Sequence, residues 1–186
     1  MSRSDRKNRR EFLIQAGAAG AVAGVVGCTE SKPPAPAPPP DTKAGDVEIL
    51  QSALALEHQG IAAYQAALDS GLIKDEKVAD VARKFQNHHK DHRAALTDAI
   101  RNLGGKPAEK KDAYDFGAPK RAEDLLRLAA KIENTAANAY ADAVGKLGDR
   151  RLAVQAAKIL GAEAWHTAVL RSALGDDPAP SWELTA

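Results

Sequence analysis

Between Asp46 and Gly175, apolar residues return every three or four positions, the period of a helix that buries one face. The pattern predicts four helices, at 46–70, 75–103, 121–147 and 150–174. Glycine and proline punctuate them: Gly71 ends the first, Gly104-Gly105-Lys106-Pro107 the second and Gly175 with Pro178 the fourth, while Gly148-Asp149 joins the third to the fourth. The first and last connections are short and imply antiparallel neighbours. The middle one, about 17 residues long, implies a crossover between helices 2 and 3. The expected fold is all-α, a four-helix bundle with one long crossover.

Each apolar stripe is broken near its middle by a polar residue. Helix 1 runs Leu50, Leu54, Glu57, Ile61, Tyr64, Leu68, with Glu57 where a leucine belongs. Helix 2 runs Val78, Val81, Phe85, His89, His92, Leu96, Ala99, Leu103. Helix 3 carries Glu133 among Leu126, Ala129, Ala136, Tyr140, Ala143 and Leu147; helix 4 carries Glu163 and His166 among Leu152, Ala156, Ile159, Leu170 and Ala173. Six such residues at one level of a bundle need compensation, because an unpaired buried charge costs several kcal/mol. One or two divalent cations would supply it, since carboxylate and imidazole suit iron, manganese and zinc. A metal-free network of Glu-His ion pairs is the alternative.

The halves repeat. Glu57-x6-Tyr64 matches Glu133-x6-Tyr140, and His89-x2-His92 matches Glu163-x2-His166. Tyr64 and Tyr140 are therefore candidate hydrogen-bond donors to ligating carboxylates, with plain core packing as the other reading. His58 and His88 lie next to the stripes in sequence but about 100° round the helix, which predicts surface or supporting groups rather than ligands.

Composition narrows the class. The 186 residues include 39 Ala but only 22 Val, Ile and Thr together, which favours helix over sheet. The net charge of +1 gives no electrostatic footprint for nucleic acid. A single cysteine excludes an internal disulfide framework and any CxxC site.

Residues 1–27 read as a signal peptide: a basic start precedes a small, apolar run from Phe12 to Gly27 that is too short for a good membrane span. Asn8-Arg9-Arg10-Glu11-Phe12-Leu13 resembles a twin-arginine signal, and Val25-Val26-Gly27-Cys28 resembles a lipobox in which Cys28 would be lipidated. Residues 28–45, with Pro33-Pro34-Ala35-Pro36-Ala37-Pro38-Pro39-Pro40, predict an extended spacer of about 3.1 Å per residue. The bundle itself is assigned to 46–175 and a tail to 176–186. The twin-arginine route implies export of a folded protein, held by its lipid on the periplasmic or cell-surface side of a bacterial membrane.

Together, the Glu-x6-Tyr, His, Glu-x6-Tyr and Glu-x2-His series resembles the ferritin-like superfamily, including rubrerythrin and bacterioferritin. The similarity extends to bacterial exported ferritin-like domain proteins through Gly104-Gly105-Lys106-Pro107, Asp115-Phe116-Gly117 and Glu163-Ala164-Trp165-His166. The resemblance implies a metal centre of Glu57, His89, His92, Glu133, Glu163 and His166 holding one or two irons, with manganese or zinc as alternatives. It implies redox chemistry with O2 or peroxide without fixing an activity. His89 departs from the resembled pattern, which has Glu there to bridge two metals. A neutral imidazole offers one lone pair, so the expectation is an asymmetric or loosely coupled pair, or a single metal.

Two functional classes follow: a tethered redox metal protein, or a metal-free structural or interaction module whose polar layer only sets helix register. A lipid and stalk on each subunit would hinder a closed storage cage, whereas small-residue helix faces suit a homodimer. With no four-cysteine iron domain, an electron donor would be a separate partner.

Overall fold

The computed structural model describes residues 42–179; the Arg9-Arg10 signal, Cys28 and the proline-rich stretch lie outside them. Four helices make up most of the described chain: α1 Thr42–Asp69, α2 Glu76–Asn102, α3 Ala122–Lys146 and α4 Arg150–Leu174. The all-α bundle and its long crossover match the apolar periodicity, with boundaries within one residue except at the start of α1.

Helix α1 begins four residues earlier than the pattern predicts, inside the stretch read as linker. Its extra turn packs on the α3–α4 connection: the Asp46 carboxylate accepts hydrogen bonds from the backbone N–H of Gly148 at 2.7 Å and of Asp149 at 2.9 Å. A Cβ on Gly148 would come within 2.7 Å of Thr42, so a glycine is needed where the two segments meet.

Local chemistry sets the other ends. Asp75 and Asp149 cap α2 and α4 through their side chains, accepting from the N–H groups of Lys77 and Arg151. At the head of α3, Asp124 accepts from the N–H groups of Lys120 and Arg121. Gly175, at φ 76°, closes α4 in the left-handed conformation that a side chain would strain.

The pairs α1–α2 and α3–α4 form two hairpins, and α1 packs against α3. Residue 57 meets 140 and residue 64 meets 133, so α1 and α3 run antiparallel. The crossover is fastened to α1: Gln51 donates to the Lys106 carbonyl at 2.6 Å and accepts from the Ala108 N–H at 2.9 Å, and His58 lies 3.3 Å from the Ala108 carbonyl.

Two apolar clusters fill the bundle. One gathers Leu50, Leu54, Leu96, Ile100, Tyr140, Ala143 and Ile159. The other gathers Tyr64, Ala82, Phe85 and Leu170. Val81, placed on the buried stripe by periodicity, is instead 37% exposed, while Ala79 and Ala82 are buried. Among the described residues, no helix is long and apolar enough to cross a membrane.

Candidate metal centre

Between the two apolar clusters lies a polar layer. Glu57, His89, Glu133, Glu163 and His166 are all at most 2% exposed, and the His92 side chain is 15% exposed. All six ligand candidates therefore meet at one level, each delivered by the register of its own helix.

They meet as two overlapping groups. Ligand atoms of Glu57, His89, His92 and Glu163 lie within 4.8 Å of one another, and so do those of His89, Glu133, Glu163 and His166. His89 and Glu163 belong to both. On one side, His89 Nδ1 lies 2.7 Å from Glu57 Oε2, and His92 Nδ1 lies 2.9 Å from Glu163 Oε1. On the other, His89 Nε2 is 3.3 Å from Glu133 Oε1, while His166 Nδ1 is 3.2 Å from Glu133 Oε2 and 3.1 Å from Glu163 Oε2.

The tyrosines join the layer crosswise. Tyr64 of α1 donates to Glu133 of α3, and Tyr140 of α3 donates to Glu57 of α1. Both phenols are held protonated: burial raises their pKa, and the carboxylate each one faces raises it further. They are thus fixed donors that orient acceptor-only carboxylates.

His88 reaches this layer from outside. Its Nδ1 lies 2.9 Å from His166 Nε2 and its ring stacks on that of His166, so it supports a candidate ligand from the far side. His58 stays apart, on the crossover. Off-stripe position alone could not separate the two. Phe85 also stacks on His166, and with Tyr64 it lines an apolar pocket at this end of the bundle; these two rings stand between the pocket and the polar layer.

Electrostatics in the layer are strongly coupled. Burial opposes charge on His89, but hydrogen bonds to Glu133 and Glu57 overcome it and push its pKa up to about 11. Burial likewise opposes charge on His92, and Glu163 and Glu57 push it up to about 9. Burial would raise Glu57 and Glu133, yet the histidines hold both below the ordinary carboxylate range, Glu133 well below. Burial dominates at Glu163 and raises it.

The residues fit a metal ion. His92 Nδ1 and Glu163 Oε1 are buried and close together, yet neither has a hydrogen-bond partner of acceptable geometry. Two lone-pair donors converging on one place, in a layer of carboxylate and imidazole, are what a divalent first-row cation takes.

Residues 45–176 match the ferritin-like domain family. Among solved structures, the chain is similar to a conserved hypothetical protein, Rv2844, from Mycobacterium tuberculosis: 24% identity over 78% of this chain and 98% of that one, with a TM-score of 0.67. It is also similar to a ferritin-like, diiron-carboxylate protein from Bacillus anthracis str. Ames, at 18% identity over 73% of this chain and 99% of that one, with a TM-score of 0.65. At these identities the two structures show the fold. No curated protein matches the chain.

Proposed function

Because the chain belongs to the ferritin-like domain family, we propose that it is an exported, membrane-tethered metal-binding protein that holds one or two iron or manganese ions in the bundle core. The observation that carries this reading is the pair of overlapping carboxylate and imidazole groups, with His92 Nδ1 and Glu163 Oε1 facing each other at 2.9 Å without a hydrogen bond of acceptable geometry. Glu57, His89, His92, Glu133, Glu163 and His166 would hold the metal. When bound, iron or manganese would supply electron-transfer chemistry toward O2 or peroxide.

The protein's own part is positional. Tyr64 and Tyr140 fix the carboxylates of Glu133 and Glu57, and His88 backs the imidazole of His166. The apolar clusters on either side exclude bulk water and keep the local dielectric low. The diiron-carboxylate character of the similar Bacillus anthracis protein supports iron over zinc. Tethering rests on Arg9-Arg10, Cys28 and the proline-rich spacer, and a separate electron donor would serve the site. Small-residue helix faces support a homodimer.

Elemental analysis of the full-length protein, loaded anaerobically with iron, tests the reading. Glu163→Ala removes a member of both groups and should lower bound metal markedly, whereas His58→Ala, on the crossover, should change it little. A parent protein that takes up no metal would leave the layer as a network of ion pairs that sets helix register.

A further inference from the structure

Resting on that metal-binding reading, we propose that His89 bridges two metal ions as an imidazolate. Its Nδ1 serves the ion held by Glu57 and His92, and its Nε2 serves the ion held by Glu133 and His166. Glu163 spans the same two places, with Oε1 toward His92 and Oε2 toward His166.

The ring's position carries the argument. His89 is 1% exposed, and each of its nitrogens faces a carboxylate, Glu57 at 2.7 Å and Glu133 at 3.3 Å. An ionised carboxylate only accepts, so a neutral imidazole, with one N–H and one lone pair, satisfies one side and opposes the other. Two states satisfy both sides: an imidazolium with two N–H groups, or an imidazolate with two metal ions. The fold also clears space for the ring. At Gly60 of α1 a Cβ would stand 2.9 Å from both Cε1 and Nε2 of His89, so the missing side chain is filled by the imidazole.

Charge favours the bridge once metal enters. Three carboxylates and a neutral His89 leave one positive charge in excess beside two divalent ions, in a layer where only His92, at 15%, is more than marginally exposed. An imidazolate removes that excess and gives the layer the charge of four carboxylates. Coordination through both ring nitrogens releases both N–H protons of the His89 imidazolium to solvent, one more than a histidine that binds a single ion gives up.

Zinc(II), which is diamagnetic, serves as the probe on the full-length protein labelled with 15N-histidine. The expected result is two zinc ions per chain, with both ring nitrogens of His89 at metal-bound shifts and neither protonated. His89→Gln should reduce uptake from two zinc ions to one. Two zinc ions bound while His89 keeps a protonated ring nitrogen would overturn the bridge, as would one zinc per chain in the parent. No zinc uptake at all would remove the metal-binding reading with it. If His89→Gln does not fold, the nitrogen shifts of the parent protein decide by themselves.

Discussion

The Tyr140 hydroxyl on α3 donates to the Glu57 carboxylate on α1, and the pair Tyr64–Glu133 repeats the bond in the opposite direction. Two Glu-x6-Tyr segments, packed antiparallel, each complete the other's site. Tyr64→Phe or Tyr140→Phe should therefore leave a buried carboxylate one donor short. Each variant should lose about 1–3 kcal/mol of metal-free stability. Metal affinity should fall about tenfold or more, as when a group orienting a ligand is lost. Chemical denaturation in chelator and a zinc titration measure the two effects. If both variants match the parent, the hydroxyls do no more than pack.

Gly60 and Gly161 both lie inside helices, but their surroundings differ. A Cβ at Gly60 would strike His89, whereas at Gly161 nothing lies within 4 Å. Alanine gains about 1 kcal/mol over glycine inside a helix. Gly161→Ala should thus raise stability by up to that amount and leave metal binding alone. Gly60→Ala should lose the gain to the displaced ring and bind less metal. Thermal melts with metal counts test the pair; a Gly60→Ala protein as stable and as metal-replete as Gly161→Ala would mean that His89 has room to move.

The buried layer was legible because its residues occupy the middle of each stripe, the part that the helical period turns toward the core. Glu57, Glu133, Glu163, His89 and His166 are accordingly buried. What escaped depends on partners remote in sequence or on packing geometry. Its off-stripe position put His88 of α2 among surface or supporting groups but could not name its partner, His166 of α4, 78 residues away. Val81 is on the stripe but exposed, since only contact between helices decides which edge of a stripe is covered. No periodicity announces Asp46, whose partners are backbone N–H groups more than a hundred residues on.

That carboxylate makes a separable prediction. Asp46 is 3% exposed and satisfies two backbone donors at the α3–α4 connection, in the part of the bundle beyond the polar layer. Asp46→Ala should cost about 1–3 kcal/mol of unfolding free energy by stranding those donors. Asp46→Asn, which keeps one acceptor oxygen, should cost less. Urea titration reads the order of the three proteins, and metal stoichiometry should be the same in all. A drop in bound metal for Asp46→Ala, with stability unchanged, would reverse the assignment.

The charged layer also fixes how stability responds to pH. In the metal-free bundle, His89 and His92 are raised from 6.5 to about 11 and about 9. A raised histidine favours the fold in full below its unfolded value and loses that contribution as pH climbs to the folded value. Stability should therefore decline from about pH 6.5 upward, through 9 and on toward 11. Glu57 and Glu133 are lowered, so their contribution is present above about 4.5 and fades as pH falls below it. Glu163, raised chiefly by burial, works against them and opposes the fold as it ionises. Metal reverses the alkaline trend, since ligating histidines must be deprotonated and affinity grows with pH. A cation at about 100 times its Kd adds about 2.7 kcal/mol to the folded state. Urea midpoints measured at about pH 5.5, 7 and 9, with chelator and with zinc, should diverge as pH rises. Metal-free protein as stable at the highest pH as at the middle one would show that the imidazolium charges do not hold the layer together.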